Sequence, residues 1–142
     1  MNKTVPRGIR NNNPLNIERN KTRWKGLRKE QTDARFAQFE TMEYGIRAAF
    51  RTLQTYYDKH GCRTIRQFIS RWCPPNEKGN DTEQYISHVC RGAGVTHLQV
   101  LRSPKEGCLQ WCAIVRSMIK MECGQEINIK TIIRTYNMAF GK

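Results

Sequence analysis

Ser103 to Gly124, SPKEGCLQWCAIVRSMIKMECG, is the most apolar long segment of the chain and fixes how the rest is read. Both ends of a helix are written into it. Ser103 is placed to cap a first turn, Pro104 suits the first helical position, and Glu106 completes an S-x-x-E capping box. Gly124 supplies a left-handed stop. At roughly 100° per residue, Trp111, Ile114, Val115 and Met118 share one stripe, with Arg116, Ser117 and Lys120 opposite. Glu122 comes eleven positions after Trp111, which returns it to within about 20° of that residue. A carboxylate therefore extends the apolar stripe at the last turn. Apolar surroundings and the negative end of the helix dipole both disfavour its charged form. A carboxyl that keeps its proton towards neutrality is what a general acid needs. The alternative is a solvated carboxylate on a frayed turn, reaching Lys120 or Arg134.

The chain has 142 residues, 38% of them hydrophobic and 26% charged. That length and balance predict a single globular domain, 1–142, with one core. No apolar run approaches the ~20 residues that cross a bilayer. The first residues, MNKTVPRGIRNNN, lack the apolar region of a secretory signal, so action at a cell wall would require delivery by other machinery. The net charge of +13 attracts polyanions such as nucleic acid, acidic membrane surfaces or anionic wall polymer, without choosing among them. The charge is dispersed, densest in Lys21 to Lys29 and Arg63 to Arg71. Nucleic acid is therefore expected to bind only non-specifically. The six cysteines (62, 73, 90, 108, 112 and 123) contain no C-x-x-C pair, and free buried thiols are expected. His60, His88 and His97 show no ligand spacing, so no metal and no cofactor are expected.

Upstream, RGIRNNNPLNIERN (Arg7 to Asn20) reads as an ordered loop, pinned by Ile9, Leu15 and Ile17. Its asparagine amides are suited to a sugar's hydroxyl and N-acetyl groups. Ala34 to Glu40 reads as extended structure, at most a small hairpin. A helix is predicted from Met42 to His60, capped by Thr41 and ended by Gly61. Thr64 caps a second helix, with Ile65, Phe68, Ile69 and Trp72 inward, stopped by Pro74-Pro75. After the polar loop PPNEKGN, Asp81 opens a third helix with Tyr85, Ile86 and Val89 inward. Val95 to Leu101 reads as a short helical turn, and Asn128 starts a last helix.

Several of these strings resemble a family of bacteriophage and prophage proteins, structural or lytic components of the virion related to lysozyme-like domains. They are RGIRNNNPLNI (Arg7 to Ile17), W-x-G (Trp24 to Gly26), FAQFETMEYGIRAAFRTL (Phe36 to Leu53), TIRQFISRWCPPNEKGNDTEQYISHV (Thr64 to Val89) and AIVRSMIKMECG (Ala113 to Gly124). The chain departs from that pattern at Leu15, where the family carries a small residue, at an insertion around Lys78-Gly79, and in its cysteines. A second likeness is to glucosaminidases and lytic transglycosylases of the lysozyme superfamily. In these a helix ending in the acid is followed by an N-N-x-x-x-I loop, a W-x-G, a short aromatic strand and a helix ending in Tyr. Here that order appears when the chain is read in a circle from Ala113.

These resemblances imply a mainly α, lysozyme-like domain with at most a small β-hairpin, in circularly permuted order. They imply cleavage of peptidoglycan glycan strands, with Glu122 as acid and virion proteins as further partners. A sugar hydroxyl would complete the reaction, or else a second carboxylate with a water, from Glu18, Glu40 or Glu43. Asn12, Asn13, Asn16, Thr82 and Tyr85 are the residues expected to hold the sugar. The alternatives are a non-catalytic virion protein on the same scaffold and a basic nucleic-acid binder.

Overall fold

A computed structural model describes residues 5–141, and those residues are mainly helical. Six helices run in the order α1 (Arg7–Arg10), α2 (Met42–His60), α3 (Ile65–Trp72), α4 (Thr82–Ala93), α5 (Cys108–Cys123) and α6 (Ile129–Phe140). No strand forms among the described residues. The anticipated hairpin is reduced to two isolated antiparallel bridges, Glu18 with Phe36 and Leu27 with Phe39. No helix among them is long and apolar enough to cross a membrane.

Four helices start on the residues that the capping rules select. Thr41, Thr64 and Asp81 accept from the backbone N–H groups of Tyr44, Gln67 and Gln84 at 3.3, 3.2 and 3.0 Å. Asn128 accepts from Lys130 N at 2.8 Å. Each bond satisfies one of the orphan donors of a first turn.

α5 begins later than its capping box predicts, at Cys108 rather than beside Ser103. Residues 103–107 instead form a separate turn, in which the Ser103 hydroxyl donates to the Glu106 carboxylate at 2.7 Å. Tertiary bonds hold this turn. Gln54 accepts from the Lys105 N–H at 2.9 Å, and the Tyr136 hydroxyl donates to the Pro104 carbonyl at 2.6 Å. Ser117 also departs from expectation. It is buried against α4, where His88 Nε2 lies 2.9 Å from its carbonyl. The contact exists because residue 92 of α4 is glycine, and a Cβ there would overlap the Ser117 hydroxyl. The apolar stripe itself is fully buried, with Trp111, Val115 and Met118 at 0% exposure. α5 packs against α4 and α6, α2 lies on α6, and α3 lies on α4.

Two irregular segments complete the fold. Val95 to Leu101 forms no helix, only a turn closed by Gln99 N to Thr96 O at 3.3 Å. The N-terminal segment contains α1, a single turn with no side-chain cap and no acid in its first turn, so no local signal marks it. It is held from outside by Arg7, which forks onto Asp33 through two bonds of 2.6 Å. The Arg7 guanidinium, with the Phe36 N–H and the Asn11 amide, keeps the Asp33 carboxyl far below the usual range.

The asparagines that follow do backbone work. Asn12 and Asn16 have φ of 51° and 53°, the left-handed region that asparagine tolerates best after glycine. The loop then meets α2 at Gly45, where an added Cβ would lie 2.0 Å from the Asn12 carbonyl oxygen. Gly45→Ala is therefore expected to cost about 1–3 kcal/mol, the range for overpacking against atoms that cannot move aside. Chemical denaturation measures it, and an unchanged midpoint would contradict the close approach.

Candidate functional site

Gly124 ends α5 with φ of 71°, and Glu122 stands two residues before that stop. Three other segments converge on its carboxyl. Trp72, the last residue of α3, donates its indole N–H to Oε2 at 3.2 Å. Tyr85, in the first turns of α4, donates its hydroxyl to the same oxygen at 3.0 Å. Asn16, in the left-handed turn of the loop, donates Nδ2 to Oε1 at 3.2 Å. The helix stripe aims Glu122 inward, the Pro74-Pro75 stop leaves Trp72 at a helix end, and α4 carries the tyrosine back over both.

The carboxyl is half-buried, and burial raises its pKa above the ordinary glutamate value. The bonds from Asn16, Tyr85 and Trp72 pull the other way without cancelling it. Burial, with the Glu122 charge adding to it, also raises Tyr85 well above the ordinary phenol value, so its hydroxyl stays protonated and donates. Asn16 Oδ1 is buried without a partner. Turned over, that amide would accept from the carboxylic acid as it now donates to the carboxylate. Tyr85→Phe removes one donor to the charged form, so the Glu122 pKa should rise further. Carbon-13 NMR titration of labelled glutamate reads this directly, and an unchanged or lowered value would contradict the bond.

Glu122 faces a cleft of about 630 Å³, within the usual size range of small-ligand sites. Asn16, Glu18, Arg35 and Phe36 line it from the N-terminal loops, Tyr56, Arg71, Trp72, Gln84 and Tyr85 from the helices, and Asp81 from the cap of α4. The PPNEKGN loop forms part of the wall, closed on itself by Asn80 Nδ2 to the Pro74 carbonyl at 2.8 Å.

Of the residues singled out from sequence, Glu122, Asn16, Tyr85 and Glu18 line this cleft. Glu18 is exposed and paired with Arg35 at 2.8 Å. Glu40 is not among the lining residues, because its main chain is tied to the loops: its N–H donates to Gly26 O and its carbonyl accepts from Asn12. Glu43 pairs with Arg134 at 3.1 Å. The supposed partners of a solvated Glu122 are thereby engaged elsewhere, since the Lys120 ammonium donates to the Gly124 carbonyl.

Three of the expected sugar-binding residues have structural duties instead. Asn12 Nδ2 donates to the Phe39 and Glu40 carbonyls. Asn13 is fully buried, with Nδ2 on the Ile17 and Ala37 carbonyls and Oδ1 on the Ile17 N–H. Thr82 is buried and donates its hydroxyl to the Cys73 carbonyl at 2.6 Å.

Trp72 is the contact that the sequence reading missed. Its place on the inward stripe of α3 marks it as core, yet a buried indole N–H needs an acceptor, and that need was the available signal. Among the described residues, no group of His, Cys, Asp and Glu side chains is arranged to hold a metal, and all six cysteines are unpaired.

No family model matches the chain. A stretch of 121 residues, 83% of the chain, is 40% identical to "Protein P5" of Pseudoalteromonas phage PM2 and covers 71% of that protein.

Proposed function

From the premise that this chain belongs to the family of Protein P5 of Pseudoalteromonas phage PM2, we propose that it is a single lysozyme-like domain that cleaves the glycan strands of peptidoglycan. Glu122 is the general acid. The observation that carries this reading is the Glu122 carboxyl itself: at a helix end, raised in pKa by burial, bonded by Asn16, Trp72 and Tyr85, and open to a cleft. A structural ion pair would have a cation in that position, and among the described residues Glu122 has none within ion-pair distance.

In the proposed reaction, protonated Glu122 gives its proton to the leaving glycosidic oxygen as the sugar becomes oxocarbenium-like. Trp72, Tyr85 and Asn16 then stabilise the carboxylate that is left, so the acid is neutral before the step and supported after it. Two routes complete the reaction. The sugar's own hydroxyl attacks, with the Glu122 carboxylate taking its proton, or a water attacks with help from a second carboxylate. Of the carboxylates proposed from sequence for that second role, Glu18 lines the cleft. The residues proposed to contact the sugar are Asn16 and Tyr85 around the acid, with Tyr56 and Phe36 as apolar surfaces along the cleft.

A zymogram on purified sacculi tests the proposal, with wild type beside Glu122→Gln. Clearing by the wild type alone is expected. Clearing by neither would leave a virion component without this activity, and clearing by both would move the acid away from Glu122.

A further inference from the structure

Two cations line the cleft, Arg35 and Arg71, and they stand in different states. Arg35 is neutralised, with Nε and Nη2 on one Glu18 oxygen at 3.0 and 2.8 Å. Arg71 has no carboxylate within ion-pair distance among the described residues. It is nonetheless held in place. Its guanidinium lies over the Tyr56 ring at 5.3 Å, and Nη2 meets His60 Nε2 at 3.1 Å. Neither contact brings a carboxylate to the guanidinium, so the two orient the group without an anion to neutralise it. Arg71 also directly precedes Trp72, whose indole donates to Glu122. An oriented guanidinium without a carboxylate partner thus lines the same cleft as Glu122, together with Glu18, Glu77 and Asp81.

We infer that Arg71 is a carboxylate-reading subsite, which makes the cleft select glycan whose sugars carry acidic substituents over neutral glycan; this rests on the glycan-cleaving reading above. A planar guanidinium matches a carboxylate with two parallel N–H donors, and a neutral polysaccharide offers nothing of that kind. The carboxylate belongs either to the lactyl ether of a muramyl sugar or to the peptide attached to it.

The test uses one polymer in three forms: peptide-bearing glycan strands, strands stripped of peptide with the lactyl carboxylates free, and the same stripped strands amidated with methylamine. The readout is the ratio of kcat/KM for an acidic form over the amidated form, at ~150 mM salt, where exposed charges beyond about 8 Å are screened. Wild type is expected to prefer an acidic form by about tenfold, the size of one charge-assisted hydrogen bond. Arg71→Gln should bring that ratio to near one, and Arg71→Lys should restore part of it. Arg116→Gln removes the same charge from the exposed face of α5 and should leave the ratio unchanged. The acidic form that loses its advantage in Arg71→Gln identifies which carboxylate is read. A ratio unaffected by Arg71→Gln, or lowered equally by Arg116→Gln, would overturn the inference and leave the glycan-cleaving reading standing. A wild type that cuts none of the three forms would remove the reading beneath it.

Discussion

Glu122→Gln is expected to lower the rate of glycan cleavage by roughly a hundred- to ten-thousandfold, the usual worth of a positioned general acid. The substitution keeps the side chain's shape and its reach to Tyr85, Trp72 and Asn16. It removes only the transferable proton. The glutamine oxygen can take the two donors that now meet at Oε2. Its NH2 group can meet Asn16 Oδ1, which is buried without a partner, once that amide turns over.

The same variant should have a distinct stability profile. Burial raises the Glu122 pKa in the folded protein above its unfolded value, so between those two values the folded state holds more protons. Wild-type stability must then fall as pH rises through that window, and the full loss is present above the raised pKa. Glu122→Gln does not titrate, so this part of the fall should vanish and the variant should gain on wild type towards neutral pH. Melting curves across pH 4 to pH 8 measure the difference. An activity loss accompanied by a stability loss that is the same at every pH would mean a packing residue, not an acid.

Trp111→Ala is expected to destabilise the protein by about 3–5 kcal/mol, a large share of the stability of a domain this size. The indole is completely buried in α5 and meets Phe68 edge-on at a centroid distance of 4.7 Å. Its N–H donates to the Arg102 carbonyl at 2.8 Å, bonding the helix back to the residue before the Ser103 turn. Alanine leaves both a cavity and a carbonyl without its donor. Trp111 and Glu122 lie on the same stripe, so a shift of α5 would also loosen the contacts of the acid. Urea titration checks the magnitude, and a loss below about 1 kcal/mol would contradict the packing described.

Much of this architecture is legible along the chain because its determinants are local. Thr41, Thr64, Asp81 and Asn128 cap the helices they precede, and Gly61, Gly94 and Gly124 end helices in the left-handed conformation. The Trp111 stripe reads correctly for the same reason. The Ser103 box misleads because a capping pattern specifies a turn, and distant groups such as Gln54 and Tyr136 decide that the turn stays separate from α5. α1 is invisible because Asp33, far along the chain, holds it.

The site divides along the same line. Glu122 is visible through its helix phase. Which asparagine faces it is not, because Asn12 and Asn13 are drawn to the carbonyls of Phe39, Glu40, Ile17 and Ala37. Only the folded loop shows that Asn16 is the one that reaches the Glu122 carboxyl. Trp72 looks like a core residue in sequence, and Tyr85 sits inward on its helix while also being expected to hold the sugar; in the fold both turn a polar atom to the Glu122 carboxyl.

The most direct measurement is the mass of the fragments released when the purified protein digests peptidoglycan. Glu122 chemistry predicts cuts between sugars, with peptides intact on every fragment. Sugar ends lighter by one water would mark attack by the sugar's own hydroxyl, and ordinary reducing ends would mark attack by water. Glycan strands of unchanged length, whether untouched or with cuts confined to the peptides, would contradict the account.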